Sequence, residues 1–186
     1  MKVSRRLLGV VAASALTMVA VAGCTVNINA PQVPSQSETT DFSGMDIMFA
    51  QMMIPHHQQA VDMSALAETN TSNTVILELA GQIKAAQAPE IEQMQGWIES
   101  QNASMDMGHD MGMGGMLTDE QMQALIAAKD EEFDRLYLEG MIEHHRGAIQ
   151  MTSMIQNSTN AEAKALAEAI ITSQTAEIEY MQGLLK

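Results

Sequence analysis

The stretch MIPHHQQAVDM, Met53 to Met63, returns 88 residues later as MIEHHRGAIQM, Met141 to Met151. Each copy holds two adjacent histidines with methionines at matching offsets. Imidazole nitrogen binds many transition metals, whereas thioether sulfur is a soft donor that suits few. Zinc rarely takes a thioether, and calcium and magnesium want oxygen. Imidazole with thioether therefore points to copper, Met favouring Cu(I) and His accepting either oxidation state. Silver(I) fits the same donors. The candidate ligands are Met53, His56, His57 and Met63 in the first copy, and Met141, His144, His145 and Met151 in the second.

A second set of donors lies between the copies. SMDMGHDMGMGGM, Ser104 to Met116, offers Met105, Met107, His109, Met111, Met113 and Met116 on a backbone with four glycines. The glycines oppose a stable helix, and the irregular Met spacing does not suit a buried face. A mobile run of thioethers with one imidazole could wrap a Cu(I) ion. Two plainer readings are a flexible connector and a strip of oxidisable Met.

Placed on a helical wheel, Asp46, Phe49, Met53, His56, His57, Ala60 and Met63 share an arc of about 120°. The second copy repeats this with Asp134, Met141, His144, His145 and Met151. The histidines thus face the core, where an imidazole without a partner costs a few kcal/mol. Asp46 and Asp134 are the expected orienting carboxylates behind the ligands. Glu90, Glu92, Glu177 and Glu179 on the partner helices are the alternatives. If hydrogen bonds satisfied all the rings, the histidines would be structural and no metal need bind.

These residues need helices to hold them. Met45 to about Asn70 and Val75 to about Ser100 have helical periodicity, with Pro55 and Pro89 as expected bends. Thr118-Asp119-Glu120-Gln121 resembles a capping box. Glu120 to Gln156 reads as helical in one or two pieces, Ser158 to Asn160 breaks it, and Thr159-Asn160-Ala161-Glu162 caps a last helix to Leu185. EIEQMQGW (Glu90 to Trp97) matches EIEYMQGL (Glu177 to Leu184), so each half is a helical hairpin. One hairpin cannot cover its apolar face, and two related by a pseudo-twofold make an all-α four-helix bundle. The expected parts are a hairpin at 45–101, a Met/Gly-rich linker at 102–117 and a hairpin at 118–186, together one domain.

The beginning of the chain reads differently. Lys2, Arg5 and Arg6 precede an apolar run, Leu7 to Ala22, too short for a typical membrane span. Val21-Ala22-Gly23-Cys24 resembles a lipobox, which makes residues 1–23 a lipoprotein signal peptide and Cys24 the lipidation site. Ser4-Arg5-Arg6-Leu7-Leu8 faintly resembles a twin-arginine signal. Residues 24–44, with Pro31, Pro34 and several Ser and Thr, read as a flexible tether. Loss of residues 1–23 leaves six Lys and Arg against 23 Asp and Glu, a net charge of −17. That argues against nucleic acid and for a cation-attracting protein outside a bacterial membrane. Cys24 is the single cysteine, so no intrachain disulfide forms.

No catalytic constellation stands out. Di-iron bundles use Glu-x-x-His, but the residues three before each histidine are Met53, Ile54, Asp106, Met141 and Ile142. A metal-dependent redox enzyme is therefore the third reading, after a metal-binding protein and a non-metal structural or interaction lipoprotein. The expected partners are the membrane, through the lipid on Cys24, and a copper donor or acceptor protein.

MIPHHQQAVDMSALA and MIEHHRGAIQMTSMI resemble the bacterial family called domain of unknown function 305 (DUF 305), over about Asp41 to Lys186. The resemblance implies a ferritin-like four-helix bundle, usually exported. Some members are periplasmic copper-binding proteins linked to copper resistance. It implies Met53, His56, His57, Met63, Met141, His144, His145 and Met151 as the shared motif. The Met-rich linker is not a uniform family feature.

Overall fold

A computed structural model describes residues 41–105 and 114–186. Among them all regular structure is helical, in the order α1 (Gly44–Asn70), α2 (Thr74–Ser100), α3 (Asp119–Ala127), α4 (Asp130–Met151) and α5 (Ala161–Leu184). A short 3-10 turn, Thr152–Met154, follows α4. The signal peptide, Cys24 and nearly all of the tether lie outside the described residues, as do Met107, His109, Met111 and Met113 of the linker.

Local chemistry explains the boundaries. Ser43 caps α1 in a reciprocal box: its N–H donates to Asp46 Oδ2 at 2.7 Å, and Asp46 N–H donates to Ser43 Oγ at 3.2 Å. Each bond satisfies a donor that the first helical turn leaves open. Asn73 and Asn160 cap α2 and α5 through their side-chain oxygens. They hold matching places in the two hairpins. Thr118 and Gln121 form the capping box of α3. Pro55 and Pro89 sit inside α1 and α2, which continue through them.

The helical run expected at 120–156 is divided after Ala127 for a tertiary reason. Asn70, at the end of α1, donates to the carbonyls of Leu125, Ile126 and Ala128 at 3.0–3.2 Å. Lys129 Nζ then donates to Asn70 Oδ1 at 2.7 Å. The last carbonyls of α3 thus find their donors on another helix rather than by continuing their own.

α1 packs on α2, α4 on α5, and α1 on α4. Ser64, late in α1, meets Tyr137, early in α4, through a 2.9 Å hydroxyl–hydroxyl bond, so these two helices run opposite ways. The result is the four-helix bundle that the repeat requires, with α3 as an addition. Two apolar clusters fill it. One gathers Phe49, Met53, Met94, Trp97, Met151 and Ile170; the other gathers Met63, Ile83, Phe133, Tyr137, Met141 and Met181. Along α1 and α4 the histidine pairs fall between the clusters. At one end Trp97, the single tryptophan, stacks on Phe42 at 4.8 Å, and its Nε1–H donates to Glu162 Oε1 of α5 at 2.9 Å.

Candidate metal centre

All four histidines of the two pairs are fully buried. His56 of α1 and His144 of α4 meet across the pseudo-twofold, ring centroids 3.8 Å apart and planes 44° apart. Their sequence neighbours diverge, with centroid separations of 6.5 Å for His56–His57 and 6.4 Å for His144–His145. Adjacent residues on a helix point about 100° apart. One histidine of each pair therefore faces the other hairpin, and the second faces its own hairpin partner.

There each outer histidine finds a glutamate. His57 Nε2 lies 2.7 Å from Glu90 Oε2 of α2, and His145 Nε2 lies 2.5 Å from Glu177 Oε2 of α5. His56 Nε2 lies 3.1 Å from the Gly114 carbonyl. An oxygen that only accepts fixes the tautomer: Nε2 carries the proton, and the lone pair remains on Nδ1. The Nδ1 atoms of His56, His57, His144 and His145 are buried with no partner, and His144 Nε2 has none either. Burial holds His56 well below an ordinary imidazole, at about 4, with smaller contributions from the neighbouring His57 and His145 charges; the Gly114 carbonyl works in the opposite direction. Burial, followed by the His56 charge, also pushes His144 well below an ordinary imidazole. Both rings are neutral near pH 7, the form that binds metals.

Met53, Met63 and Met141 are fully buried and Met151 nearly so. Met53 and Met151 belong to one apolar cluster, Met63 and Met141 to the other, so thioethers border the histidine layer on both sides. Among the described residues no three His, Cys, Asp or Glu side chains are grouped to hold an ion. A cage of imidazoles and carboxylates alone is thus not built in among these residues. The further donors bordering the unpartnered imidazoles are sulfur, and that set fits a soft ion.

The expected carboxylates behind the ligands need correction. Asp46 closes the capping box of α1, and Asp134 Oδ2 accepts from Asn73 Nδ2 at 2.7 Å. Neither has a hydrogen bond to a histidine; the orienting acids are Glu90 and Glu177, while Glu92 and Glu179 are exposed. Of the linker donors within the described residues, Met105 is exposed and Met116 half-buried. Gln87 and Gln174 are polar residues that sequence reasoning missed. Both are buried, one turn before Glu90 and Glu177, and the amide nitrogen and oxygen of Gln87 and the amide oxygen of Gln174 lack partners. The signal was present, as QAPE (Gln87 to Glu90) and QTAE (Gln174 to Glu177) occupy matching places in the repeat.

The linker end is seated on this centre. Gln59 Nε2 donates to the Leu117 carbonyl at 3.0 Å, and Leu117 N–H donates to Gln59 Oε1 at 2.7 Å. Gly115 has φ +85°, and a Cβ on Gly147 of α4 would lie 1.9 Å from the Gly114 oxygen. Only hydrogen at position 147 lets the linker backbone come this close, and so lets the Gly114 carbonyl reach His56.

The profile of the family described as Domain of unknown function (DUF305) matches residues 46–185. The chain belongs to the DUF305 family. Its fold is similar to that of a putative secreted DUF305 protein from Streptomyces coelicolor, at 34% identity and a TM-score of 0.73, over 76% of this chain and 90% of that one. A DUF305 fragment from Deinococcus radiodurans is similar at 27% identity and a TM-score of 0.72, over 78% and 97%. CopM in its Cu(II)-bound form is similar at 35% identity and a TM-score of 0.65, over 75% and 94%. CopM also matches in its Cu(I)-bound and Ag-bound forms. No curated protein sequence matches this DUF305 chain. Among its described residues no helix is long and apolar enough to cross a membrane.

Proposed function

We propose that this protein binds copper outside the cytoplasm, tethered by lipid on Cys24, and sequesters the ion or passes it to a partner protein without catalysing a reaction. The observation that carries this reading is the pair of buried His-His motifs. The central His56 and His144 are held neutral by burial, three of the four rings are oriented through Nε2, all four keep an unpartnered Nδ1, and thioethers border them. Support comes from CopM, a similar bundle seen with Cu(II), Cu(I) and Ag. The bound ion would supply no bond-making chemistry here. The chain's own residues do the positioning: Glu90, Glu177 and the Gly114 carbonyl hold the Nε2–H side of three rings, so that Nδ1 donates. An acidic surface raises the local concentration of cations, and the Met-rich linker adds a weaker capture strip.

The test is an anaerobic Cu(I) competition titration of the full chain against a chromophoric chelator. His56→Ala with His144→Ala should lower the stoichiometry while the helical signal persists. Deletion of 106–113 should leave the tight sites in place. A second reading makes the histidines purely structural, and the His57–Glu90 and His145–Glu177 bonds favour it. Under that reading the double variant mainly lowers Tm, and copper does not stabilise the wild-type fold.

A further inference from the structure

α1 carries three methionines that the His-His motif does not include. Met45, Met48 and Met52 stand at i, i+3 and i+7, and His56 follows at i+11. At 100° per residue the four fall within an arc of about 80°. Their relative exposures decline along the helix: 48% at Met45, 36% at Met48, 8% at Met52 and 0% at His56. The row thus starts at the surface and ends, about 16 Å further along the axis, at a ring whose Nδ1 is buried and unpartnered.

Core packing alone does not account for the row. A buried face is populated by residues that are buried, and Met45 and Met48 are not. The repeat provides an internal control. The matching positions of α4 are Phe133, Leu136 and Gly140. Phe133 is fully buried, and Gly140 makes room for Leu117, whose Cδ1 would lie 3.2 Å from an added Cβ. The second hairpin therefore uses these positions to pack and to seat the linker, while the first keeps thioethers there. The linker adds one more sulfur beside the row. Gln51, between Met48 and Met52, donates through Nε2 to the Ser104 carbonyl, and the exposed Met105 comes next in the chain.

We propose that Met45, Met48 and Met52 form a surface-to-core thioether row along which a soft monovalent ion, Cu(I) or Ag(I), reaches His56. Residues three and four apart on a helix have Cβ atoms about 5–6 Å apart, a span that two flexible Met side chains can bridge. Each hand-off is a ligand exchange: one metal–sulfur bond forms as the previous one breaks, and the last exchange replaces sulfur by the imidazole lone pair. The donors are neutral throughout, so no proton or electron moves. The row serves the copper-binding centre proposed above and rests on that reading.

The test uses the full chain with [methyl-13C]methionine under anaerobic conditions. Substoichiometric Ag(I) should shift or broaden the Met45, Met48 and Met52 methyl resonances and leave that of Met122 on α3 unmoved. In parallel, Cu(I) uptake from a bicinchoninate complex is followed by stopped flow. Met45→Leu with Met48→Leu keeps the side-chain volume. Removing both steps should slow uptake about tenfold, one decade per 1.36 kcal/mol of barrier, with stoichiometry and Kd unchanged. Met122→Leu should change nothing. An uptake rate in the double variant equal to wild type overturns the row but leaves the centre standing. A fall in stoichiometry with an unchanged rate also overturns it, since the methionines would then be a separate site. Absence of copper uptake by the wild type removes the binding reading itself, and the row with it.

Discussion

The two hairpins carry the same histidine pair and treat its surroundings differently. In the first, α1 holds the linker with polar arms, Gln51 on Ser104 and Gln59 on Leu117. In the second, α4 holds it by what is missing: Gly140 and Gly147 replace the side chains at the matching positions and let Leu117, Gly114 and Gly115 settle onto the helix. The consequence reaches the central pair. His56 gains a carbonyl partner at Gly114, whereas both nitrogens of His144 are left without one. A twofold repeat with a single linker cannot keep its two halves equivalent, and here the departure falls on the residues that face each other.

The largest expected break in this equivalence is with acid. In the metal-free protein His56 stays neutral until about pH 4, whereas an unfolded histidine takes its proton near 6.5. Between these values the unfolded state binds more protons, so stability is full above about 6.5 and falls as pH drops toward 4, by on the order of 3 kcal/mol. Burial also holds His144 well below its ordinary value, so it adds to the loss in the same direction. Urea melts from pH 7 to 4, with ring titrations followed by NMR, should show stability falling with pH while both His56 and His144 protonate well below 6.5. Coincident titration near 6.5 would contradict the burial of both.

Next in size is the linker seat. Gly147→Ala drives a Cβ into the Gly114 carbonyl, and overpacking against backbone should cost about 2–3 kcal/mol. Gly81→Ala, in α2, meets nothing within 4 Å and should instead stabilise by up to about 1 kcal/mol through helix propensity. Thermal denaturation of the two variants gives opposite signs if the close approach is real. The smallest effect tests symmetry. Glu90→Gln and Glu177→Gln each weaken the hold on one outer histidine, and each should lower copper affinity about tenfold. Unequal losses in a competition titration would mean that one hairpin supplies most of the binding.

Much of the bundle was legible in the sequence because repeats expose it. The histidine pairs, the Thr118 cap, a cap within Thr159 to Glu162 and the helix ends near Asn70 and Ser100 all follow from local pattern. What remained hidden depends on contacts between distant segments. Asn70 ends α3 from 55 to 58 residues away, and no local signal marks that role. Asp46 was open to two readings: it shares the inward arc of the histidines, yet Ser43-x-x-Asp46 is also a capping-box spacing. The helix N-terminus won, because backbone donors three residues away are nearer than the histidine rings about three turns further along. Glu90 and Glu177 stood among four equivalent acids, and only the packing of α2 on α1 and α5 on α4 selected them.

The single tryptophan gives the bundle a reporter of its own. Trp97 is pinned by Phe42 ahead of α1 and by Glu162 at the start of α5, so its environment belongs to both hairpins at once. If the hairpins part while their helices persist, the indole loses its acceptor and meets water, and its emission moves to the red while the far-ultraviolet signal holds. The light from this one side chain thus separates opening of the bundle from melting of its helices, with no dye attached.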